Sequence, residues 1–330
     1  MGSLRNTTRL WIVIGLITCP SVVWAQCAAP TCNKVVNNGP DSAKKVIAVL
    51  GDGYAAADQT KYNGDVQTLV VDGVLGHDFF REDNNGFNVY RLNLVSVDSG
   101  VSQRVYDEHG TPTDPSDDTI TSTTIKNTAL GYIWSGSWAH CWLEWGTNTG
   151  TLINNALTAN LSRWDYIVVI LNQDSYGGCG GGGFQQVPRG VTWDTLAHEY
   201  GHGVGGLGDE YSGAGAYTGG PVTTGNCTTA VNRSTIFWNR FVNPATPVPT
   251  TFGPGMDSNR TVGIFQGCGT KDSGIFRPVS NCRMRSNLPP YCPIWYNGFV
   301  RLARLSHVPA PYAPPPCDPS NPLWRWPVFS

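Results

Sequence analysis

Two histidines four residues apart, His198 and His202, flank Glu199 in the stretch HEYGHGVGGLGDEY, which continues through a glycine-rich bend to Asp209, Glu210 and Tyr211. On an α-helix, positions four apart project from one face, so both imidazoles can converge on one ion while the glutamate stands beside it. Imidazole nitrogen is a borderline-soft donor suited to zinc (Zn2+), and a catalytic zinc keeps one of its four positions for water. A third protein ligand must therefore come from elsewhere. Asp209, past the bend, is the nearest carboxylate, and Glu210 is the substitute. Glu199 has a different task in this reading. It takes the proton of a zinc-activated water and returns it to the leaving amine, so no Ser, Cys or Thr nucleophile is needed.

These residues need a helix to carry them and a scaffold to hold the helix. VTWDTLA, just before His198, reads as a helix start with Leu196 and Ala197 as apolar positions. Gly201, Gly203, Gly205 and Gly206 are expensive in a helix interior and read as an exit that turns the chain back toward the metal. Upstream, KVIAVL, FNVYRLNLVSV and DYIVVIL are strand-like, and they alternate with the helix-like DQTKYNGDVQTLVVDGVL and TLINNALTANL. That alternation predicts an α/β sheet between Lys44 and Leu171. The strand from Asp165 to Leu171, if it edges the cleft, offers backbone for strand addition by a substrate. YGGCGGGG, from Tyr176, reads either as a connector or as a loop that brings backbone close to a ligand. Beyond Tyr211 the chain is rich in Gly, Pro, Asn and Thr and has no sustained period.

Composition bounds the partners. The 330 residues are 14% charged with a formal net charge of -2, and they carry no basic patch, so nucleic acid is not expected as a partner. Residues 1–25 read as a signal peptide: Arg5 and Arg9, the apolar LWIVIGLI, then SVVWA with cleavage after Ala25. The run is too short to span a membrane, and no later run is long enough. Cys19 in LITC is a poor fit to a lipid-attachment site and reads as part of the leader. Of the ten cysteines, nine then remain: Cys27, Cys32, Cys141, Cys179, Cys227, Cys268, Cys282, Cys292 and Cys317. In an exported chain most of them should be bridged, with at least one left over. Five lie from Cys227 onward, where little regular structure is expected and staples are most needed.

The chain resembles the IgA-peptidase-like family of secreted zinc metallopeptidases, which belong with the metzincins. The resemblance covers about Val46 to Arg301 and rests on VLGDGYAAAD, NVYRLNLVSVDSGV, WDYIVVILN with YGGCGGGG, and above all HEYGHGVGGLGDEY. It implies an α/β, metzincin-like zincin: a twisted mixed sheet, an HExxH active-site helix, and an irregular, disulfide-stapled C-terminal subdomain. NCRMRSN resembles the turn that sets a methionine, here Met284, beneath the metal; Met256 is the other methionine of the mature chain. The usual metzincin third ligand would fall on Gly208, one residue early, whereas the resembled family has it at Asp209. The expected organisation is a signal peptide over 1–25, a segment over 26–43, a catalytic domain over 44–305 and a Pro-rich tail over 306–330.

The remaining residues with chemical potential have weaker context. Tyr211 and Tyr291 are open as oxyanion donors or buttresses. His77, His109, His140 and His307 have no motif around them, and the carboxylates from Asp107 to Asp118 fit no calcium-loop spacing. The function expected is a secreted zinc endopeptidase acting on protein or peptide. The alternative is an exported binding or adhesion module with a structural metal, which would need a fourth protein ligand and would have no use for Glu199. The family's name does not by itself carry a substrate to this chain.

Overall fold

The computed structural model describes residues 27–28, 30–77, 84–111, 115–222 and 225–294. The leader read over 1–25 with Cys19, the tail over 306–330 with Cys317, and His307 lie outside the described residues. Six strands form the main sheet in the order β1 (Cys32–Val36), β3 (Phe87–Leu92), β2 (Lys45–Asp52), β8 (Tyr166–Leu171), β10 (Phe184–Pro188) and β9 (Cys179–Gly181). The four inner strands run parallel, and β1 and β9 are antiparallel edges. β1 therefore belongs to the sheet although it falls in the segment read as preceding the domain.

Parallel strands covered on both faces read as continuous apolar runs, and this is why KVIAVL and DYIVVIL carry so clear a signal. Val46, Ala48 and Leu50 of β2 enter one core with Val169 and Leu171 of β8. Ile47 and Val49 enter the opposite core with Val168 and Ile170. The helix α2 (Thr149–Asn160) closes the first core through Ile153 and Leu157. The second is closed by α1 (Gln59–Val66), its π-helical continuation Gln67–Val74, and α3 (Trp193–Gly203). Trp238, Ile264, Met284 and Tyr291, all from beyond Tyr211, complete it.

A second sheet has the order β5 (Thr119–Thr124), β4 (Ser102–Asp107), β6 (Tyr132–Trp134) and β7 (Leu143–Trp145). The buried Asp52 carboxylate, at the end of β2, ties the stretch entering β6 to the main sheet. It accepts hydrogen bonds from the backbone N–H of Leu130 (2.8 Å) and Tyr132 (2.9 Å) and from Thr128 Oγ1 (2.9 Å). The hairpin of β11 (Phe265–Cys268) and β12 (Lys271–Arg277) gives the C-terminal region regular structure that its sequence does not announce.

That hairpin and the apolar residues around it bear on the cysteines. Bridges do not gather after Cys227: among the described residues Cys27–Cys32 and Cys141–Cys179 precede it, and Cys227–Cys268 follows. Cys282 and Cys292 are buried thiols in hydrogen-bonding contact with each other. The C-terminal region contributes its own side chains to the core and so depends less on staples than its composition implies. Among the described residues, no helix is long and apolar enough to cross a membrane. Alkylation and peptide mapping without reduction are expected to label Cys282 and Cys292 only after denaturation. Labelling of either in the native protein, or recovery of the two peptides joined, would contradict their assignment as buried thiols.

Candidate metal centre

α3 begins after Thr192, whose extended backbone (φ -84°, ψ 163°) lets Trp193 open the first turn. Leu196, Ala197 and Tyr200 face the core, and the helix thereby directs Thr195, His198, Glu199 and His202 into a cleft of about 870 Å³. Gly201 and Gly203 lie within the helix rather than in its exit, which corrects the reading of the glycine run. A Cβ on Gly201 would fall on Met284 Sδ, and one on Gly203 would fall on the Gln185 side chain. Close approach, not termination, requires them. The exit itself is at Gly206, whose φ of +60° is the left-handed conformation that glycine adopts without strain. The Leu207 N–H then returns to the Gly201 carbonyl at 3.0 Å.

The exit and the turn around Met284 orient both imidazoles. His202 Nδ1 lies 2.6 Å from the Leu207 carbonyl, and His198 Nδ1 lies 2.8 Å from the Arg283 carbonyl. A carbonyl only accepts, so each Nδ1 carries the proton and donates it, and the neutral ring presents its Nε2 lone pair on the other side. The two Nε2 atoms face each other at 3.2 Å, and Asp209 Oδ1 lies 3.0 Å from that of His198 and 3.2 Å from that of His202. These three residues form the one His/Cys/Asp/Glu group among the described residues able to hold a metal ion. Three inward electron pairs at this spacing repel one another unless a positive charge lies between them, and the donor set, two nitrogens and an oxygen, suits zinc. With protons as the only counter-charge, burial works against a charged His202, but the Asp209 carboxylate lifts it to about 9. Burial likewise opposes the charge on Asp209, yet its bonds to His198 and His202 hold the carboxyl well below the usual range.

Glu210 takes no part in this triangle. Its carboxyl is buried on the other side of the chain, accepting from Asn226 Nδ2 (2.8 Å) and from Cys282 Sγ (3.1 Å). Glu199 opens into the cleft beside the histidines, and burial pushes its carboxyl up to about 7 against the pull of both imidazoles. The glycine-rich loop is not a simple connector: a Cβ on Gly178 would crowd Glu199 Oε1, and one on Gly180 would fall on the Glu199 carbonyl. Of its residues, Cys179–Gly181 form β9, the edge strand. β8 lies between β2 and β10, so the strand from Tyr166 to Leu171 has no free edge for a substrate, and β9 holds that position.

Tyr211 lines the cleft, where its hydroxyl bonds to Asp209 and to the Trp138 indole; burial, then Asp209, raises its pKa. Tyr291 is buried and donates to the Ala197 carbonyl, which makes it a support for α3 rather than a group facing substrate. Met284 is fully buried against Gly201. His77 stacks on Trp193, and His140 pairs with Asp118 (2.8 Å); His109 is exposed. The aromatic wall of Trp138, Trp142 and Tyr176 and the segment Arg285 to Leu288, joined to it by the bond from Asn287 to the Tyr176 hydroxyl (3.2 Å), carry no signal in the sequence as cleft residues. NCRMRSN marked only the start of that segment, and the aromatics carry no motif.

Residues 34–258 match the family described as IgA peptidase M64. No curated protein matches the chain. From the packing beneath α3, Gly201→Ala is expected to destabilise the protein by about 1–3 kcal/mol in chemical denaturation, the usual cost of overfilling a packed core. Combined with Met284→Ala it should cost less than the sum of the two single changes. Strict additivity would mean that Gly201 and Met284 are not in contact.

Proposed function

The chain belongs to the IgA peptidase M64 family and is thus a metallopeptidase that hydrolyses peptide bonds, and from that premise we propose that His198, His202 and Asp209 hold a catalytic zinc ion with Glu199 as its proton carrier. The observation that carries this reading is the triangle of two Nε2 atoms and Asp209 Oδ1, each pair 3.0–3.2 Å apart, with both Nδ1 protons committed to carbonyls. Zinc bound there would polarise the scissile carbonyl and lower the pKa of water toward about 7.

The protein's own residues do the rest. Glu199 takes the proton of the attacking water and delivers it to the nitrogen of the leaving amine, with no covalent intermediate. A carboxyl lifted by burial to about 7 suits both halves of that transfer near neutral pH. The Leu207 and Arg283 carbonyls keep the imidazoles in the tautomer that binds metal. β9 supplies edge backbone for an extended substrate, and Gly180 lets that backbone lie against Glu199. Met284 under Gly201 fits the metzincin type of site. The leader read over 1–25, together with the disulfides, supports export. A binding or adhesion module is not favoured, because the family is one of peptidases.

Two experiments test this. Purified protein should carry about one zinc per chain and lose activity to chelators, as a site of two histidines and a carboxylate requires. His202→Ala should abolish binding, and Asp209→Ala should weaken it more than Glu210→Ala does; the reverse order would move the third ligand. Glu199→Gln keeps the shape of the side chain and removes its basicity. It should leave zinc content and thermal melting nearly unchanged while lowering kcat by at least about 10²–10⁴-fold, the usual worth of acid–base assistance. Cleavage near the wild-type rate in a zinc-loaded Glu199→Gln preparation would sink the mechanism.

A further inference from the structure

The segment after Met284 carries a cation whose task the metal centre does not explain. Arg285 lines the cleft half-buried, on the segment whose Asn287 donates to the Tyr176 hydroxyl of the aromatic wall (3.2 Å). Its Nη1 donates to the Glu210 carbonyl at 2.9 Å, which fixes the guanidinium next to the residue that follows Asp209. Among the described residues this is its one hydrogen bond, and it has no ion pair, so four of the five guanidinium N–H donors have no protein acceptor. Its neighbours in the fold differ. Arg283 pairs with Asp194 (3.1 Å), and Arg277 spends its donors on the carbonyls of Gln266, Gly267 and Ser280. The carboxylates that share the cleft, Glu199 and Asp209, are not within ion-pair distance of Arg285; Glu210 turns its own into the core, where the charge of Arg285 acts on it through space without a hydrogen bond between the side chains.

A guanidinium tethered at the wall of a cleft, with most of its N–H groups unpaired, suits a carboxylate, which can take two parallel N–H bonds from it. We propose that Arg285 is a specificity-determining residue that binds a carboxylate of the peptide substrate, either an Asp or Glu side chain near the scissile bond or the terminal carboxylate of the chain. This rests on the zinc-peptidase reading of the same cleft. It makes the enzyme selective for acidic peptides, with selectivity residing in a wall of the cleft and not in the metal ligands.

The test uses the zinc-loaded full chain and quenched peptides in which Glu, Gln or Lys is moved through each position, each made with a free-acid and an amidated end. Wild type is expected to favour Glu over Gln at one position, or free acid over amide, by about tenfold in kcat/KM, the scale of one charge-assisted bond pair. Because the ratio is taken within each protein, a general loss of activity cancels. Arg285→Gln should flatten the ratio, Arg285→Glu should turn it toward Lys, and Arg285→Lys should keep part of it. In wild type the ratio should also shrink as salt rises, a readout that needs no variant to fold. A flat ratio in wild type, or one that survives Arg285→Gln, overturns the proposal while leaving the zinc-peptidase reading intact. A zinc-loaded wild type that cleaves no peptide of the set, acidic or neutral, removes that reading and the proposal with it.

Discussion

Three electron pairs aimed at one point are unfavourable on their own, and much of this chain is arranged to keep them there. Two imidazole nitrogens and a carboxylate oxygen stand 3.0–3.2 Å apart. The spacing persists because each group is anchored from behind. His198 is tied to the Arg283 carbonyl and His202 to that of Leu207. The backbone on both sides of Asp209 is pinned as well: the Gly269 N–H donates to the Asp209 carbonyl (2.6 Å) and the Glu210 N–H to the Met284 carbonyl (2.6 Å). A preorganised site of this kind pays its repulsion during folding, so that the proposed ion meets ligands already in position.

The anchors come from parts of the sequence far from the helix they serve. Arg283, Met284 and Tyr291 lie more than 80 residues beyond His198 but pack beneath it, and the hydrogen bond from Tyr291 to Ala197 and the contact of Met284 with Gly201 set the height of the helix above the core. Arg283 is itself held by Asp194 on the first turn of α3, so the carbonyl that orients His198 belongs to a residue fixed to the same helix. On the other side, the Cys141–Cys179 bridge joins the aromatic wall of the cleft to the edge strand. The site is therefore a junction of three segments, the helix, the edge strand with its bridged loop, and the turn after Cys282, rather than a property of the HExxH stretch alone.

This division explains what could be read from sequence. His198, Glu199 and His202 were legible because helical geometry alone brings positions four apart together. β2 and β8 were legible because a strand buried on both faces must be apolar throughout. The second sheet was not: β5, TITSTT, is exposed along its whole length, and β6 and β7 are three residues each, so no burial pattern betrays them. β9 was hidden for a different reason. Gly180 within it and Gly178 just before it are demanded by the closeness of Glu199, a tertiary constraint, and in sequence they look like a loop. Gly201 and Gly203 misled in the same way, since glycine required by a neighbour cannot be told locally from glycine that ends a helix. Cys141–Cys179 and Cys227–Cys268 join residues 38 and 41 positions apart, contacts that spacing does not encode, whereas Cys27–Cys32 is local.

The choice between Asp209 and Glu210 shows how one local fact decides a site. After Gly206 the chain leaves the helix without further helical turns, and its backbone is pinned on both sides of the Asp209–Glu210 step by Gly269 and Met284. The two adjacent carboxylates face different surroundings. Asp209 meets the histidines, whose bonds keep it charged despite burial, whereas Glu210 enters the core, where burial raises its pKa and Asn226 and Cys282 supply its partners. The left-handed turn at Gly206 likewise does more than end a helix: it presents the Leu207 carbonyl that holds His202 in the tautomer able to join Asp209 in the triangle.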